Sequence, residues 1–277
     1  MHSLEGSGQI VNTSDSRDAH DADILTHMDL RRIFRQAEII TAIAIILAAS
    51  WAFVAWMTLD VSHSVEKLMM PIDASWSSST IAVVFVMWAM MMVAMMLPSA
   101  APMILSFDRI SKKRSNNSTS RLDVLVFVAA YMVVWAAYSG LATGVQWGLQ
   151  RFGLLTPMIT SRSVWLTSSI FILAGLYQFS PLKHACLERC RTPLIFLMQE
   201  WREGLSGVWV MGLKHGLYCA GCCWALMLLL FTAGVMNIAW IVLLMMLVAF
   251  EKWPHSLIWI SRTYGGILVL VGIFNLF

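Results

Sequence analysis

His215, Cys219, Cys222 and Cys223 lie close together within a single apolar stretch. On a helix, at 100° per residue, these four fall within an arc of roughly 100°. Met211 and Met227 extend the same stripe at either end. Thiolate and imidazole ligands on one face are what a soft or borderline metal ion requires. One ion cannot take all four, because His215 and Cys223 stand about 12 Å apart along a helix axis. Neighbours such as Cys219 with Cys222 or Cys223 can share an ion, and the remaining ligands must come from elsewhere.

Two sources stand out. Residues 87–96 read Met-Trp-Ala-Met-Met-Met-Val-Ala-Met-Met, with six methionines in one apolar run. Helical spacing puts Met91 and Met95 on one face with Met87, and Met92 and Met96 on the adjoining one. A thioether is a soft, uncharged ligand that is buried in lipid at little cost. The second source is His184 with Cys186 and Cys190, where the two cysteines share a helix face at i, i+4. Packing is the competing account, since cysteine and methionine are ordinary core residues. Taken singly, His184 and His215 read as interfacial hydrogen-bonding residues. Glu251 and Lys252 read as a charged helix-end pair at a membrane interface, while an intramembrane carboxylate would point to function.

The elements that must position these residues are membrane helices. Hydrophobic residues make up 58% of the 277-residue chain and charged residues 13%, and the mean hydropathy is +0.71. Apolar runs near the ~20 residues needed to cross a bilayer recur along it. The pattern predicts an all-α, polytopic bundle of about seven transmembrane helices, over 39–59, 80–104, 122–149, 164–180, 208–234, 236–250 and 257–276. The fifth and sixth are separated only by Gly234 to Asn237 and could form a tight hairpin. Residues 1–38 form a polar, disordered tail, and 39–277 a single transmembrane domain.

Basic residues concentrate in alternate connections: Arg31, Arg32 and Arg35; Arg109, Lys112, Lys113, Arg114 and Arg121; then Lys183, Arg189, Arg191, Arg202 and Lys214. By the positive-inside rule the N-terminus is cytoplasmic and the connections 106–121 and 181–205 face the cytoplasm. The loop 60–79, with His63, Glu66, Met69, Met70 and Asp73, faces outward. All five cysteines then lie on or toward the reducing side, as free thiols. The net charge of +3 belongs to the cytoplasmic loops and does not suggest nucleic acid. Gly140, Gly144 and Gly148 on the third span, and Gly212, Gly216 and Ala220 on the fifth, have the spacing of close helix packing.

No phosphate-binding loop, H-E-x-x-H or nucleophile elbow is present, so no enzyme class is indicated. Three blocks carry a resemblance: Trp88 to Pro98, Tyr177 to Arg191, and Gly216 to Met227. In composition, order and spacing, together with residues 234–237 and Glu251-Lys252, they resemble the bacterial family 2182 of domains of unknown function. That family is described as predicted metal-binding integral membrane proteins, which implies a multi-pass protein of the bacterial inner membrane.

The function expected is binding, and handling or transporting, a soft metal ion through Cys and Met ligands. Cu(I) is favoured because it accepts thioether and thiolate at low coordination number, and zinc comes second if His184 or His215 joins the cysteines. The expected partners are the lipid bilayer, the metal ion, and a membrane protein or metallochaperone. The alternatives are a structural or accessory subunit without metal and, third, a membrane thiol enzyme.

Overall fold

Every regular element described is a helix, as the apolar runs require once no water is there to satisfy the backbone. The computed structural model describes residues 36–58, 76–114, 120–156, 159–235, 237–253 and 258–277. In chain order the helices are α1 (Gln36–Thr58), α2 (Ser78–Arg114), α3 (Ser120–Arg151), α4 (Val164–Tyr177), α5 (Pro181–Arg191), α6 (Pro193–Glu200), α7 (Gly204–Leu228), α8 (Leu230–Ala233), α9 (Ile238–Lys252) and α10 (Ile258–Phe274). The chain divides into two compact units, Met1–Ala42 and Ile43–Phe277. Within the first, the described residues are the opening turns of α1; the second holds the rest of α1 and every later helix. The polar tail before residue 36, and His63, Glu66, Met69, Met70 and Asp73 of the expected outer loop, lie outside the described residues.

Among the described residues, four helices are long and apolar enough to cross a bilayer: α1, α2, α3, and α7 taken with α8. The remaining apolar helices are shorter. α4 has 14 residues, α9 has 15 and α10 has 17, or about 21 to 26 Å of helix. Seven full-length crossings are therefore not what the helix lengths display. Elsewhere helices outrun expectation: α2 continues past 104 to Arg114, and α7 begins at Gly204, ahead of 208.

Local chemistry sets the ends. Ser163 caps α4 by accepting from the Leu166 amide, Ser180 caps α5 ahead of Pro181, and Asn237 caps α9 by accepting from Trp240. Each supplies an acceptor to an amide with no helical partner. Gly234, at φ 95°, makes the left-handed turn that ends α8 and leads into α9.

The most extensive packing is between α3 and α7, then α4 and α10, then α2 and α3. A Cβ added to Gly212 would stand 2.4 Å from the Phe127 carbonyl oxygen, and one added to Gly216 would stand 2.8 Å from Val134. The glycine ridge of α7 is thus a notch filled by the large residues of α3. The corresponding ridge on α3 is not used in this way. Gly140, Gly144 and Gly148 have nothing within 4 Å of an added Cβ. α3 meets α7 with its aromatic face, Phe127 and Tyr131, which turns the glycines outward.

Candidate metal centre

The α3–α7 contact brings an aromatic hydroxyl to the cysteine face. Tyr131 of α3 lies with its hydroxyl 3.2 Å from Cys219 Sγ and 3.2 Å from the Met96 carbonyl oxygen of α2. On another side of the same sulfur, Lys252 at the end of α9 donates from Nζ to Cys219 Sγ at 2.9 Å. The ammonium donates equally to Ser99 Oγ, at 2.8 Å. Ser99 lies between Pro98 and Pro102, the two prolines inside α2. Neither proline has an N–H to donate to the turn before it. Four elements, α2, α3, α7 and α9, thus converge on one sulfur.

A fifth brings a second thiol. Cys190, near the end of α5, lies within hydrogen-bonding reach of both Cys219 and Cys222. Hydrogen bonding to those two sulfurs first, and burial after it, push the Cys190 thiol up. The other two cysteines of α7 are turned toward their own helix: Cys222 and Cys223 both donate to the Cys219 carbonyl, at 3.0 and 3.1 Å. Cys186 packs against Gly221, where an added Cβ would stand 2.8 Å from its sulfur. Burial, and then neighbouring Cys222, push the Cys186 thiol up. All five cysteines are free.

His215 sits one turn from Cys219 and is buried, and neither ring nitrogen has a hydrogen-bond partner. Its ring stacks with Tyr131 at 5.4 Å and Phe127 at 6.0 Å, with Phe196 tilted against it at 5.7 Å. An imidazole held this way has both nitrogens uncommitted, which is costly unless something else engages them. It is not the interfacial hydrogen-bonding residue expected. His184, on α5, is half-buried, and its Nε2 also has no partner. Burial, then the charges of Arg262, Lys183 and Arg191, lower its pKa below the ordinary histidine value.

The methionines divide. Met91, with Met87, lines an apolar pocket together with Val54, Met57, Val235 and Ile241. Met92, Met95 and Met96 are buried, and Met96 reaches the cysteine face through its main chain. Among the described residues, no three or more His, Cys, Asp or Glu side chains are grouped so as to hold one ion. The arrangement offers a pair of thiols rather than the four ligands of a structural zinc site.

Sequence reasoning made Glu251 and Lys252 a helix-end pair, and the structure gives each its own set of partners. Glu251 is buried and paired with Lys183 of α5, itself fully buried. Lys183 Nζ also donates to Gln178 Oε1 and, at 3.2 Å, to the Tyr264 hydroxyl, while Ser261 donates to Glu251 at 2.8 Å. Arg191 Nε adds a bond to the Glu251 carbonyl at 2.6 Å. Lys252, Tyr131, Ser99 and Lys183 were all missed as site residues. The signal that could have found Lys252 is the pair of adjacent charges, Glu251 and Lys252, at the end of an otherwise apolar helix.

The protein is thus all-helical with membrane-length apolar helices, and free thiols from two of its helices, α5 and α7, lie near one another beside a lysine. The chain matches the PpoB2 family, described as copper chaperones, over residues 85–275, and it belongs to that family. The match includes every helix that contributes to the thiol cluster. No curated protein and no solved structure matches the chain.

Proposed function

We propose that this protein is a membrane copper chaperone that holds Cu(I) between Cys190 and Cys219 and passes it to a protein acceptor. The observation that carries the reading is the meeting of Cys190 from α5 with Cys219 and Cys222 from α7, with Lys252 donating to the Cys219 sulfur. Cu(I) accepts two thiolates in a low-coordinate arrangement, and the neighbouring thiols of α5 and α7 supply that. Cys222 stands ready as an exchange ligand, and His215 offers an imidazole one helical turn away. Met95 and Met96 then provide weaker thioether sites for hand-off. Zinc is the second candidate and would need His215 or His184 drawn in to complete four ligands.

In this reading the chain crosses the bacterial inner membrane about seven times, the short helices α4, α9 and α10 included, with the N-terminus cytoplasmic. The basic connections then place the thiol cluster near the cytoplasmic face, where thiols stay reduced. Cysteines placed at Ser78 and Gln199 in a cysteine-free background test the orientation. An impermeant reagent applied outside should label 78 and spare 199, and the reverse pattern would overturn it.

The functional test is metal analysis of protein purified anaerobically after Cu(I) loading. Wild type should retain copper against a chromophoric Cu(I) chelator, while Cys190→Ser and Cys219→Ser should each lose it. Retention of copper by the Cys190→Ser/Cys219→Ser double variant would refute the site. Met87 and Met91, in their wholly apolar pocket, are packing residues in this scheme.

A further inference from the structure

We propose that Lys252 sets the charge of the ion the thiol pair accepts, selecting a monovalent over a divalent metal. This rests on the copper reading above and adds a residue that acts on selectivity without being a ligand. Lys252 Nζ is held at two points, 2.9 Å from Cys219 Sγ and 2.8 Å from Ser99 Oγ. The ammonium stands between a thiol, a serine hydroxyl and the carbonyl end of α9, which favours a cation. Its charge bears directly on whatever binds the sulfur.

Two thiolates and a monovalent ion carry a net charge of −1, which the Lys252 ammonium brings to zero. The same pair with a divalent ion is neutral, and the ammonium leaves the cluster with an uncompensated positive charge. Buried net charge is disfavoured, so the first combination is the stable one.

The size of the effect comes from distance. A metal bound to Cys219 at a metal–sulfur distance of ~2.3 Å lies no more than about 5 Å from Lys252 Nζ, given the 2.9 Å nitrogen–sulfur separation. At that range, with an effective dielectric constant of ~20, one extra unit charge on the ion costs affinity on the order of a hundredfold. The influence of Lys252 on the thiols themselves is common to both ions and cancels in the ratio of affinities. The selectivity ratio is therefore the quantity to measure.

The experiment uses full-length protein in detergent under anaerobic conditions. Cu(I) affinity is measured by competition with a chromophoric chelator, and divalent affinity with Co(II), whose thiolate charge-transfer band reports binding directly. Lys252→Met should move the Co(II)-to-Cu(I) affinity ratio toward the divalent ion by on the order of a hundredfold. Lys252→Gln should do the same and covers a folding failure of the first variant. Lys252→Arg keeps the charge and should keep the ratio within a few-fold of wild type. Ser99→Ala should also keep it, since the charge remains beside Cys219.

An unchanged ratio in Lys252→Met or Lys252→Gln, with Cu(I) still bound by wild type, overturns this inference and leaves the copper site standing. So does a Lys252→Arg variant as unselective as Lys252→Met, which would make the role one of shape. Failure of wild type to bind Cu(I) at Cys190 and Cys219 overturns the functional reading itself.

Discussion

Removing either partner of the Lys183–Glu251 pair should destabilise the protein far more than removing both. The two side chains are 0% and 1% exposed, and Lys183 spends its three N–H donors on Glu251, Gln178 and Tyr264. Lys183→Met leaves a buried carboxylate that keeps the Ser261 hydroxyl but loses the Lys183 ammonium. Glu251→Gln leaves a buried ammonium in the same position. Breaking such a pair from one side costs ~3–5 kcal/mol, whereas replacing both charged partners together is often close to neutral. For a unit of this size ~1 kcal/mol corresponds to ~2–4 °C in melting temperature, so each single variant should melt about 6–20 °C lower. The Lys183→Met/Glu251→Gln double variant should recover most of that loss, because the introduced glutamine retains a neutral partner in Ser261. Thermal unfolding in detergent provides the first measurement. The second is the alkylation rate of Cys190, which shares α5 with Lys183 and should rise when α5 loosens from α9. Single variants melting within ~2 °C of wild type, or a double variant whose loss equals the sum of the singles, would refute the reasoning.

Further substitutions probe the cluster from other sides. Gly221→Ala puts a Cβ 2.8 Å from Cys186 Sγ, so it should cost ~1–3 kcal/mol by overpacking and weaken Cu(I) retention by displacing α5; unchanged melting and retention would show that α5 shifts freely. His215→Phe fits the same aromatic cage and removes two unpartnered buried nitrogens, so melting should hold or rise by the equivalent of ~1–2 kcal/mol while Cu(I) retention falls, and full retention would remove His215 from the site. Met91→Leu keeps volume and apolarity in its pocket and should be silent in copper delivery, whereas Met95→Leu with Met96→Leu should retain copper at the cysteines and slow its transfer to an acceptor. Equal delivery by both methionine variants would leave the whole stripe as packing.

Periodicity accounts for most of the structure that is legible in the sequence. The apolar runs mark the helices, and the His215 to Cys223 spacing marks one face of α7, because both are properties of a single helix. Helix ends are less legible: α2 runs through Pro98 and Pro102 to Arg114, although prolines usually end helices in water. Contacts between helices are less legible still. The i, i+4 spacing of Cys186 and Cys190 suggests that both act together. In the structure they separate, Cys186 against Gly221 and Cys190 at the sulfurs of α7. The glycine ridges illustrate the same limit. Gly212 and Gly216 receive α3, while Gly140, Gly144 and Gly148 receive nothing within 4 Å, and spacing alone does not distinguish a filled notch from an open one.

The last two residues of α9 explain why the cluster needs helices so far apart in sequence. Glu251 and Lys252 are consecutive, so their side chains leave the helix about 100° apart. Glu251 turns to α5 and α10, where it meets Lys183 and Ser261. Lys252 turns to α2 and α7, where it meets Ser99 and Cys219. A single helix end therefore fixes α5, which carries Cys190, and also places the cation beside Cys219. Any displacement of α9 moves the anchor of one thiol and the countercharge of the other together. A buried charge with no compensation is expensive, so the thiols and the ammonium hold one another in register only while α5 stays docked. Cys190 and Cys219 are 29 residues apart in sequence, and what holds their helices together is an ion pair that belongs to neither.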